Sequence, residues 1–376
     1  MSRIFDSLLI SKFRGLQDIE LSDLGQVNIL VGPNNSGKTS VVEALSLLCK
    51  PFDPLGWMTV AQWRLGRRLG SVYPRLEAIK WLFPQRANVS FGGQAQEIKL
   101  STAGPSSIQL IARGVEIQGE DFGRPTRNLV RDAISLSESG YAVNGVQLTV
   151  EIRRIAAHKG QQPLPMPDAE ESLTFDFWDN ERIVSPATKR STLVKCTALS
   201  PSYSAMEALS TLRLSRVIKE KSKAQALEAV RWLDPGVKDF VILTSSHNNS
   251  TLYIEHETVG LAPFYTFGDG LKRAILIALT LPSARRGVLL IDEIETAIHI
   301  SAFSRIFSWL VKACKEWDIQ LFATTHSLEA IDAMIGEAAD TESVVAFRLG
   351  DQGTVPQRFS GDLLHRLRYE RGLDVR

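Results

Sequence analysis

Apolar residues are arranged along the chain in blocks that predict different secondary structures. Short apolar runs separated by turn residues predict three strands near the start, at 7–11, 19–21 and 27–31. After a glycine-containing loop, apolar residues recur at helical spacing from Val41 to Leu48, and Pro51 and Pro54 follow. We therefore predict a strand, a loop and a helix that ends near Lys50.

The middle of the chain changes character. Residues 51–85 have a helical pattern, whereas apolar and polar residues alternate within 86–155, where Gly, Ser and Asn separate the segments. Alternation with a period of two is typical of antiparallel strands that bury one face. A helical stretch is predicted at 203–232, and strands are predicted at 237–244 and 251–257.

From about Phe267 onwards, predicted helices and strands alternate: a helix at 271–281, a strand at 288–291, a helix at 301–314 and a strand at 320–325. This order favours an α/β fold, with a mixed or parallel sheet flanked by helices. We predict three parts: residues 1–50, an inserted helical and antiparallel β region at 51–200, and residues 201–376.

Composition narrows the class of protein. The chain has 376 residues, 44% hydrophobic and 23% charged residues, and a net charge of +1, so it is long and apolar enough to bury a large core. Cys49, Cys196 and Cys314 lack metal-site spacing, and we expect buried thiols in a reducing compartment. We find no signal peptide and no membrane-spanning run, and we expect a cytoplasmic protein without a membrane partner.

The loop after the third predicted strand has the spacing of a phosphate-binding P-loop. It reads Gly-Pro-Asn-Asn-Ser-Gly-Lys-Thr from Gly32 to Thr39, between a predicted strand and a predicted helix. Glycines allow successive backbone N–H groups to turn towards an anion, and the start of the helix adds its positive end. We therefore expect Lys38 to bind nucleotide phosphates and Thr39 to bind Mg²⁺.

A second segment supplies the carboxylates that such a loop requires. The apolar strand at 288–291 ends in Asp292 and Glu293. We expect Asp292 to lie in the coordination shell of the metal, and Glu293 to orient or polarise the attacking water. A second carboxylate at this position favours hydrolysis over simple nucleotide binding.

Two basic stretches have alternative interpretations. The first contains Arg64, Arg67 and Arg68 among tryptophans, and the second has lysines at 219, 221 and 223. For the first stretch we favour a solvated basic face of a helix, with a nucleic-acid patch as the alternative. The sequence leaves open whether either stretch contacts nucleic acid.

Two further motifs flank the Asp292–Glu293 strand. Upstream, Phe267-Gly268-Asp269-Gly270 opens a predicted helix, and downstream a strand ends in Thr-Thr-His-Ser at His326. Each motif alone is weak, because a Gly-Asp-Gly sequence is usually a turn and a histidine at a strand end is usually structural. Their order around the strand that ends in Asp292 and Glu293 is what indicates the class of protein.

This order of motifs resembles that of the ABC-type P-loop ATPases, and more closely their RecF/SMC/OLD-like branch. The resemblance rests on 9–16, the P-loop, the signature position at 267–270, the segment 289–299 and the switch histidine, and 372–376 is also similar. It is specific for the first 50 residues and for about 265–335, and covers the middle of the chain only in general layout. The chain lacks the long coiled coil of SMC proteins and a carboxylate cluster of the TOPRIM nuclease type after residue 335.

The resemblance implies an ATP- and Mg²⁺-dependent homodimer in which two heads enclose two nucleotides. Gly268, Asp269 and Gly270 of one head would face the γ-phosphate held by the other head, and His326 would contact that phosphate. Arg14 would help to hold phosphates within its own head. The remaining expected nucleotide-binding residues are those of the P-loop and the first helical turn: Asn34, Asn35, Ser36, Gly37 and Ser40. A separate effector protein, DNA repair or antiviral defence would follow from the same resemblance.

Some expectations remain open at this level. Phe267 replaces the hydroxyl residue that is usual in the signature, and Gln62 and Gln85 are both candidates for the Q-loop glutamine. A P-loop GTPase is a competing hypothesis, although the chain has no Asn-Lys-x-Asp motif. A nucleotide-binding scaffold without turnover is another alternative. A nuclease is disfavoured, because no second carboxylate or histidine cluster is evident.

Overall fold

The fold was analysed in a computed structural model. It describes residues 3–65, 76–85, 91, 95–105, 107–121, 141–155, 169–179, 192–201, 203–244, 250–336, 343–350 and 354–376. Arg67 and Arg68 of the first basic stretch lie outside these residues.

Within the described residues the strands, in chain order, are β1 (Ser7–Phe13), β2 (Leu16–Leu21), β3 (Val27–Val31), β4 (Gln96–Ala103), β5 (Ser107–Asp121), β6 (Tyr141–Ile155), β7 (Ala169–Trp178), β8 (Cys196–Leu199), β9 (Val237–Thr244), β10 (Ser250–His256), β11 (Gly260–Pro263), β12 (Val288–Ile291), β13 (Gln320–Thr324), β14 (Val344–Arg348) and β15 (Gln357–Ser360). The α-helices are α1 (Lys38–Cys49), α2 (Pro54–Gln62), α3 (Leu76–Lys80), α4 (Tyr203–Lys219), α5 (Lys223–Arg231), α6 (Asp269–Ala284), α7 (Phe303–Glu316), α8 (Leu328–Ile335) and α9 (Gly361–His365).

A six-stranded sheet positions the motifs. Its strand order is β15-β14-β3-β13-β12-β8, and all neighbouring pairs are parallel except β14 with β15. Strands β3, β12 and β13 are buried at every position, because helices or a second sheet cover both faces. Since the carboxyl ends of parallel strands meet at one edge, the segments that follow β3, β12, β13 and β14 converge there.

A second six-stranded sheet is antiparallel, with the order β2-β1-β4-β5-β6-β7. The strands predicted at 7–11 and 19–21 belong to it, whereas β3 belongs to the parallel sheet. The predicted boundary at residue 50 therefore separates β1 and β2 from β4 to β7, although all six strands form one sheet. Strand β8, at 196–199, falls in the predicted inserted region but lies in the parallel sheet. The three-part division at 1–50, 51–200 and 201–376 stays a prediction.

Three apolar clusters hold these layers together. One lies between α1, the antiparallel sheet and one face of the parallel sheet, and a second joins the opposite face of the parallel sheet to α7 and α8. The third packs α4 and α5 against the small sheet β11-β10-β9. Helix α6 contributes residues to the second and third clusters, so it is buried almost all round from Arg273 onwards.

The predicted α/β fold class is confirmed, and most predicted elements differ only at their ends. The strand at 288–291 has the predicted bounds, while the helix predicted at 271–281 extends from Asp269 to Ala284. The helical stretch at 203–232 is two helices, separated at a residue with a positive φ of 55°, Lys221. All three cysteines are buried free thiols, as predicted. The described helices include none with the length and apolar character needed to cross a membrane.

Candidate nucleotide site

The loop between β3 and α1 requires its glycines. Gly32 has a φ of 140°, and a Cβ atom there would lie 2.2 Å from the carbonyl oxygen of Leu349. Gly37 has a φ of 93°, and its Cβ would lie 2.4 Å from Cδ2 of Leu16. Neither position admits a side chain without displacing its neighbour, so the glycines keep the loop tight at the start of α1.

Lys38 folds back across this loop. Its Nζ donates to the carbonyl oxygens of Gly32 and Pro33, each at 2.8 Å. Burial lowers the pKa of Lys38, and the nearby carboxylates, led by Asp292, oppose this shift. The Ser36 hydroxyl is buried and has no hydrogen-bond partner among the described residues. The loop therefore presents a cation and a free polar atom where an anion would bind.

Asp292 lies at the meeting point of three segments. Its Oδ1 accepts hydrogen bonds from the hydroxyl of Thr39 at 3.1 Å and from the hydroxyl of Thr324 at 2.7 Å. Burial raises the pKa of Asp292, and these two hydrogen bonds partly oppose the shift. The two residues predicted to bind Mg²⁺, Thr39 and Asp292, therefore lie side by side, and Thr324 adds a contact that the sequence did not reveal.

Glu293 occupies a constrained turn after β12. It has a positive φ of 48°, which is uncommon for a residue with a Cβ. Its N–H donates to the hydroxyl of Thr324 at 2.7 Å, and its Oε2 accepts from the hydroxyl of Thr296 at 3.0 Å. The guanidinium of Arg273 donates to the carbonyl oxygens of Asp292 and Glu293, at 3.1 and 3.3 Å. These contacts hold the Glu293 side chain at the cavity wall.

A cluster of two arginines around one glutamate lies beside the loop. Glu43 is fully buried on α1, and Nε of Arg14 lies 2.7 Å from its Oε2. Arg64 donates to both carboxylate oxygens of Glu43, at 3.1 and 3.0 Å, and to the hydroxyl of Ser40 at 2.7 Å. Burial raises the pKa of Glu43, and the two guanidinium groups oppose that shift. Two cations on one carboxylate leave net positive charge at the cavity.

This cluster corrects the interpretation of Arg64 as part of a solvated basic face. Its side chain is 48% exposed, yet it is bound to Glu43 and lines the cavity. The signal was present in the sequence, because Glu43 interrupts the apolar run Val41-Val42-Glu43-Ala44-Leu45 on a helix that is buried almost throughout. A buried carboxylate requires a cationic partner.

These groups surround one cavity of about 740 Å³. Its lining includes Glu293 and His326, three apolar residues (Leu16, Ile19 and Leu349), and the predicted residues Arg14, Asn34, Asn35, Ser36, Gly37, Lys38, Thr39 and Ser40. The volume falls in the usual range for small-molecule sites. The structure thus brings the predicted P-loop residues, the carboxylate strand and the switch histidine together.

The signature residues lie elsewhere. Gly268, Asp269 and Gly270 are not among the residues that line the cavity; Gly268 and Asp269 are exposed, and α6 begins at Asp269. Neither glutamine proposed for the Q-loop lines the cavity, and Nε2 of Gln85 donates to the carbonyl oxygens of Lys80 and Phe83. Gln17 is the glutamine that does line it.

The fold and the site are those of a P-loop protein with an AAA ATPase domain. Residues 109–332 match the family described as "AAA domain, putative AbiEii toxin, Type IV TA system", and residues 4–70 match the family described as "AAA ATPase domain". The first match covers more than half of the chain, which belongs to this family of AAA domains.

Similar proteins come from bacteria and archaea. A Helicobacter pylori protein described as an ATP/GTP phosphatase is 19% identical over 377 residues, covering 96% of this chain and 97% of that protein. An uncharacterised protein of Methanocaldococcus jannaschii is 33% identical over 113 residues, covering 29% of this chain and 98% of that protein.

Solved structures of SMC heads are similar over most of the chain. An SMC head bound to the C-winged helix domain of ScpA has a TM-score of 0.47 at 14% identity, covering 95% of this chain and 98% of that chain. The SMC head of Thermotoga maritima has a TM-score of 0.39 at 11% identity, covering 95% and 99%.

Proposed function

We propose that this protein hydrolyses ATP with Mg²⁺ in the cavity between the P-loop and Glu293, and that two copies close around two nucleotides. The observation that carries the proposal is the convergence of Lys38, Asp292, Glu293 and His326 at one edge of the sheet. The signature residues at 268–270 are outside this cavity, so they are available to a second copy.

The phosphates would bind where the loop meets α1. The N–H groups of the first helical turn have no partner within the helix, and the helix dipole adds positive potential there. Lys38 would exchange the carbonyl oxygens of Gly32 and Pro33 for phosphate oxygens, since its Nζ already lies across the loop. Arg14 and Arg64 supply further positive charge on the same side of the cavity.

Mg²⁺ would be held by Thr39 and Asp292. The hydroxyl and the carboxylate are oxygen ligands of the kind that Mg²⁺ prefers, and their oxygens are 3.1 Å apart. Within the described part of the chain, no group of three or more His, Cys, Asp or Glu side chains is arranged to hold a metal ion. A small number of protein ligands is typical of a Mg²⁺ ion that takes its remaining ligands from phosphate oxygens and waters.

We expect Thr324→Val to raise the Mg²⁺ concentration that gives half-maximal turnover by about 10-fold, because Asp292 loses the hydrogen bond that orients it. Valine has nearly the same shape as threonine, so β13 should stay packed. Steady-state phosphate release in a magnesium titration tests this. Thr197→Val, on the neighbouring strand β8, should leave the titration unchanged. An unaltered magnesium requirement in Thr324→Val would show that Thr324 does not position Asp292.

The base would lie against apolar residues of the cavity lining, which are Leu16, Ile19 and Leu349. Such a surface accepts either purine, and the similarity to a protein described as an ATP/GTP phosphatase keeps GTP as a second candidate substrate. ATP is favoured, because the chain has no Asn-Lys-x-Asp motif. Comparing kcat/KM for ATP and GTP decides between them, and equal values would favour a general nucleoside triphosphatase.

The dimer can be tested by the mass in solution of Glu293→Gln with ATP and Mg²⁺. We expect a shift to dimer, and we expect Gly268→Trp in the same background to abolish it. A Cβ at Gly268 meets no atom within 4 Å, so tryptophan adds bulk to the surface without disturbing the fold. The matched control is Glu316→Trp, at the end of α7 and on the opposite edge of the sheet. A monomer under all nucleotide conditions would contradict the proposed dimer.

The proposed cellular role is the control of a separate effector protein, in DNA repair or antiviral defence, within the cytoplasm. The family description, which names putative toxins of toxin–antitoxin systems, supports a role beside a partner protein. Nucleic acid is a further proposed partner, for which the exposed Lys219 and Lys221 would be available. Co-purification of the ATP-bound Glu293→Gln dimer with a partner, absent for Gly268→Trp, would support this role.

A further inference from the structure

The backbone on both sides of the His326 Cα is held by charged side chains. Its N–H donates to Oε1 of Glu295 at 2.7 Å, and its carbonyl oxygen accepts from Nη1 of Arg376 at 2.9 Å. Glu295 lies in the turn that follows Asp292 and Glu293, whereas Arg376 lies more than fifty residues beyond β13. Two distant parts of the chain therefore fix the two successive peptide groups that flank His326 at the cavity.

Arg376 is itself firmly placed. Its guanidinium pairs with both carboxylate oxygens of Asp374, at 3.1 Å from Nε and 2.9 Å from Nη2. This pairing lowers the pKa of Asp374 to about 2, so the pair remains ionised at neutral pH. Between the two, Val375 is only 2% exposed and packs into the apolar cluster under α8. The buried valine anchors the segment and brings the guanidinium to His326.

A second ion pair fastens the same segment to α8. Arg368 pairs with both carboxylate oxygens of Asp332, at 2.7 and 2.8 Å, and its Nη1 donates to the carbonyl oxygen of Leu373 at 2.6 Å. Because α8 follows directly after His326 and Ser327, the segment is tied both to the histidine and to the helix behind it. We name residues 372–376 the clamp segment.

The imidazole depends on this support from the backbone. His326 lines the cavity, and its ring makes no hydrogen bond to any residue that the structure describes. Within the described residues, the hydrogen bonds that place His326 are therefore those of its backbone. An exposed strand-to-helix connection without such anchors would sample several orientations.

We propose that Arg376 is a positioning residue for His326. Through the carbonyl oxygen of His326 it holds the imidazole towards the γ-phosphate, opposite the pull of Glu295 on the N–H. The inference rests on the proposed ATP site, and it adds the clamp segment to the groups that recognise the γ-phosphate. Loss of Arg376 should thus weaken the discrimination of ATP from ADP, because the loop–helix contacts to the other phosphates are unaffected.

The test measures both turnover and the ratio of ATP to ADP affinity, the latter in the Glu293→Gln background. We expect Arg376→Ala to lower kcat about 10-fold with little change in KM, and to lower the affinity ratio by a similar factor. Arg376→Lys keeps one donor and should restore part of both. The matched control is Arg371→Ala, whose exposed side chain forms no hydrogen bond or ion pair with the residues that the structure describes, and which should behave as the wild type.

A double-mutant cycle with His326→Ala separates positioning from general stability. If Arg376 acts through His326, then Arg376→Ala should change neither kcat nor the affinity ratio further when His326 is already alanine. Equal effects in both backgrounds, or a wild-type affinity ratio in Arg376→Ala, would overturn the proposal. The ratio of ATP to ADP affinity also distinguishes the failure of the two proposals. A wild-type protein without turnover would refute the proposed ATPase activity. An affinity ratio that still depends on Arg376 in that case would support the positioning role of Arg376.

Discussion

Replacing Glu293 by glutamine is expected to lower ATP turnover by about 100-fold or more, with little loss of ATP binding. Glu293 lines the cavity, its backbone is fixed by Thr324 and Arg273, and its carboxylate accepts a hydrogen bond from Thr296. Glutamine keeps the shape and can still accept from Thr296, but it cannot take a proton from water. Steady-state phosphate release and a nucleotide-binding titration measure the two quantities separately.

The matched control is Glu316→Gln, which changes an exposed glutamate at the other edge of the sheet and should leave both quantities unchanged. Turnover within about threefold of the wild type in Glu293→Gln would identify Glu293 as a structural residue. Another group would then have to orient the water. Loss of ATP binding in this variant would instead mean that the carboxylate supports the cavity itself.

Arg273→Met is expected to lower the free energy of unfolding by about 3–5 kcal/mol. Arg273 is fully buried, and its guanidinium donates to the carbonyl oxygens of Ser200 at 2.8 Å, Asp292 at 3.1 Å and Glu293 at 3.3 Å. Methionine fills most of the volume but leaves these acceptors without their charged donor. Denaturant unfolding of both proteins measures the difference.

Lys272→Met is the matched control. Lys272 is the neighbouring residue on α6, and it pairs with the exposed side chain of Asp269, so its loss should change stability by no more than about 0.5 kcal/mol. Arg273→Lys retains part of the hydrogen bonding and should fall between the two variants. An Arg273→Met protein as stable as the wild type would show that the carbonyl groups find water or other donors.

The Arg273 contacts also explain how the backbone at Glu293 is sustained. A residue with a Cβ in the left-handed region is strained by about 1–2 kcal/mol. Here the guanidinium binds two successive carbonyl oxygens of the turn, and the hydroxyl of Thr324 binds the N–H between them. The turn in this conformation places Glu293 in the lining of the cavity, two residues after the end of β12.

The most reliable sequence-based predictions concern local structure. The P-loop lies between a strand and a helix as predicted, since its glycines, its lysine and the flanking apolar periodicity all act within about twenty residues. The strand before Asp292 was predicted with the observed bounds, because parallel strands buried on both faces are continuous apolar runs. Helix ends were less accurate: α6 begins two residues earlier than predicted, at the residue that follows Gly268.

Residues that act through another side chain were missed. Thr324, Arg273 and Arg64 were not assigned to the site, since each makes its contacts with a group on another element, which the local pattern does not show. Arg64 was interpreted as solvated because the pattern around Arg64 does not show which helix packs beside it, although Glu43 within an apolar run signals the need for a cationic partner. The sequence marks the clamp segment only through its resemblance to the ABC-type ATPases. Its contact with His326 spans fifty positions and has no local signal.

Local chemistry therefore established the kind of protein: the glycine loop, the lysine, the paired carboxylates and the histidine define a nucleotide site wherever they meet. The tertiary fold brings these groups together, because β3, β12 and β13 are parallel and their carboxyl ends lie at one edge of the sheet. It also decided which groups hold them there. Burial places Glu43 between two arginines and Asp292 between two threonines, and long-range pairings of this kind depend on three-dimensional packing, which motif spacing does not encode.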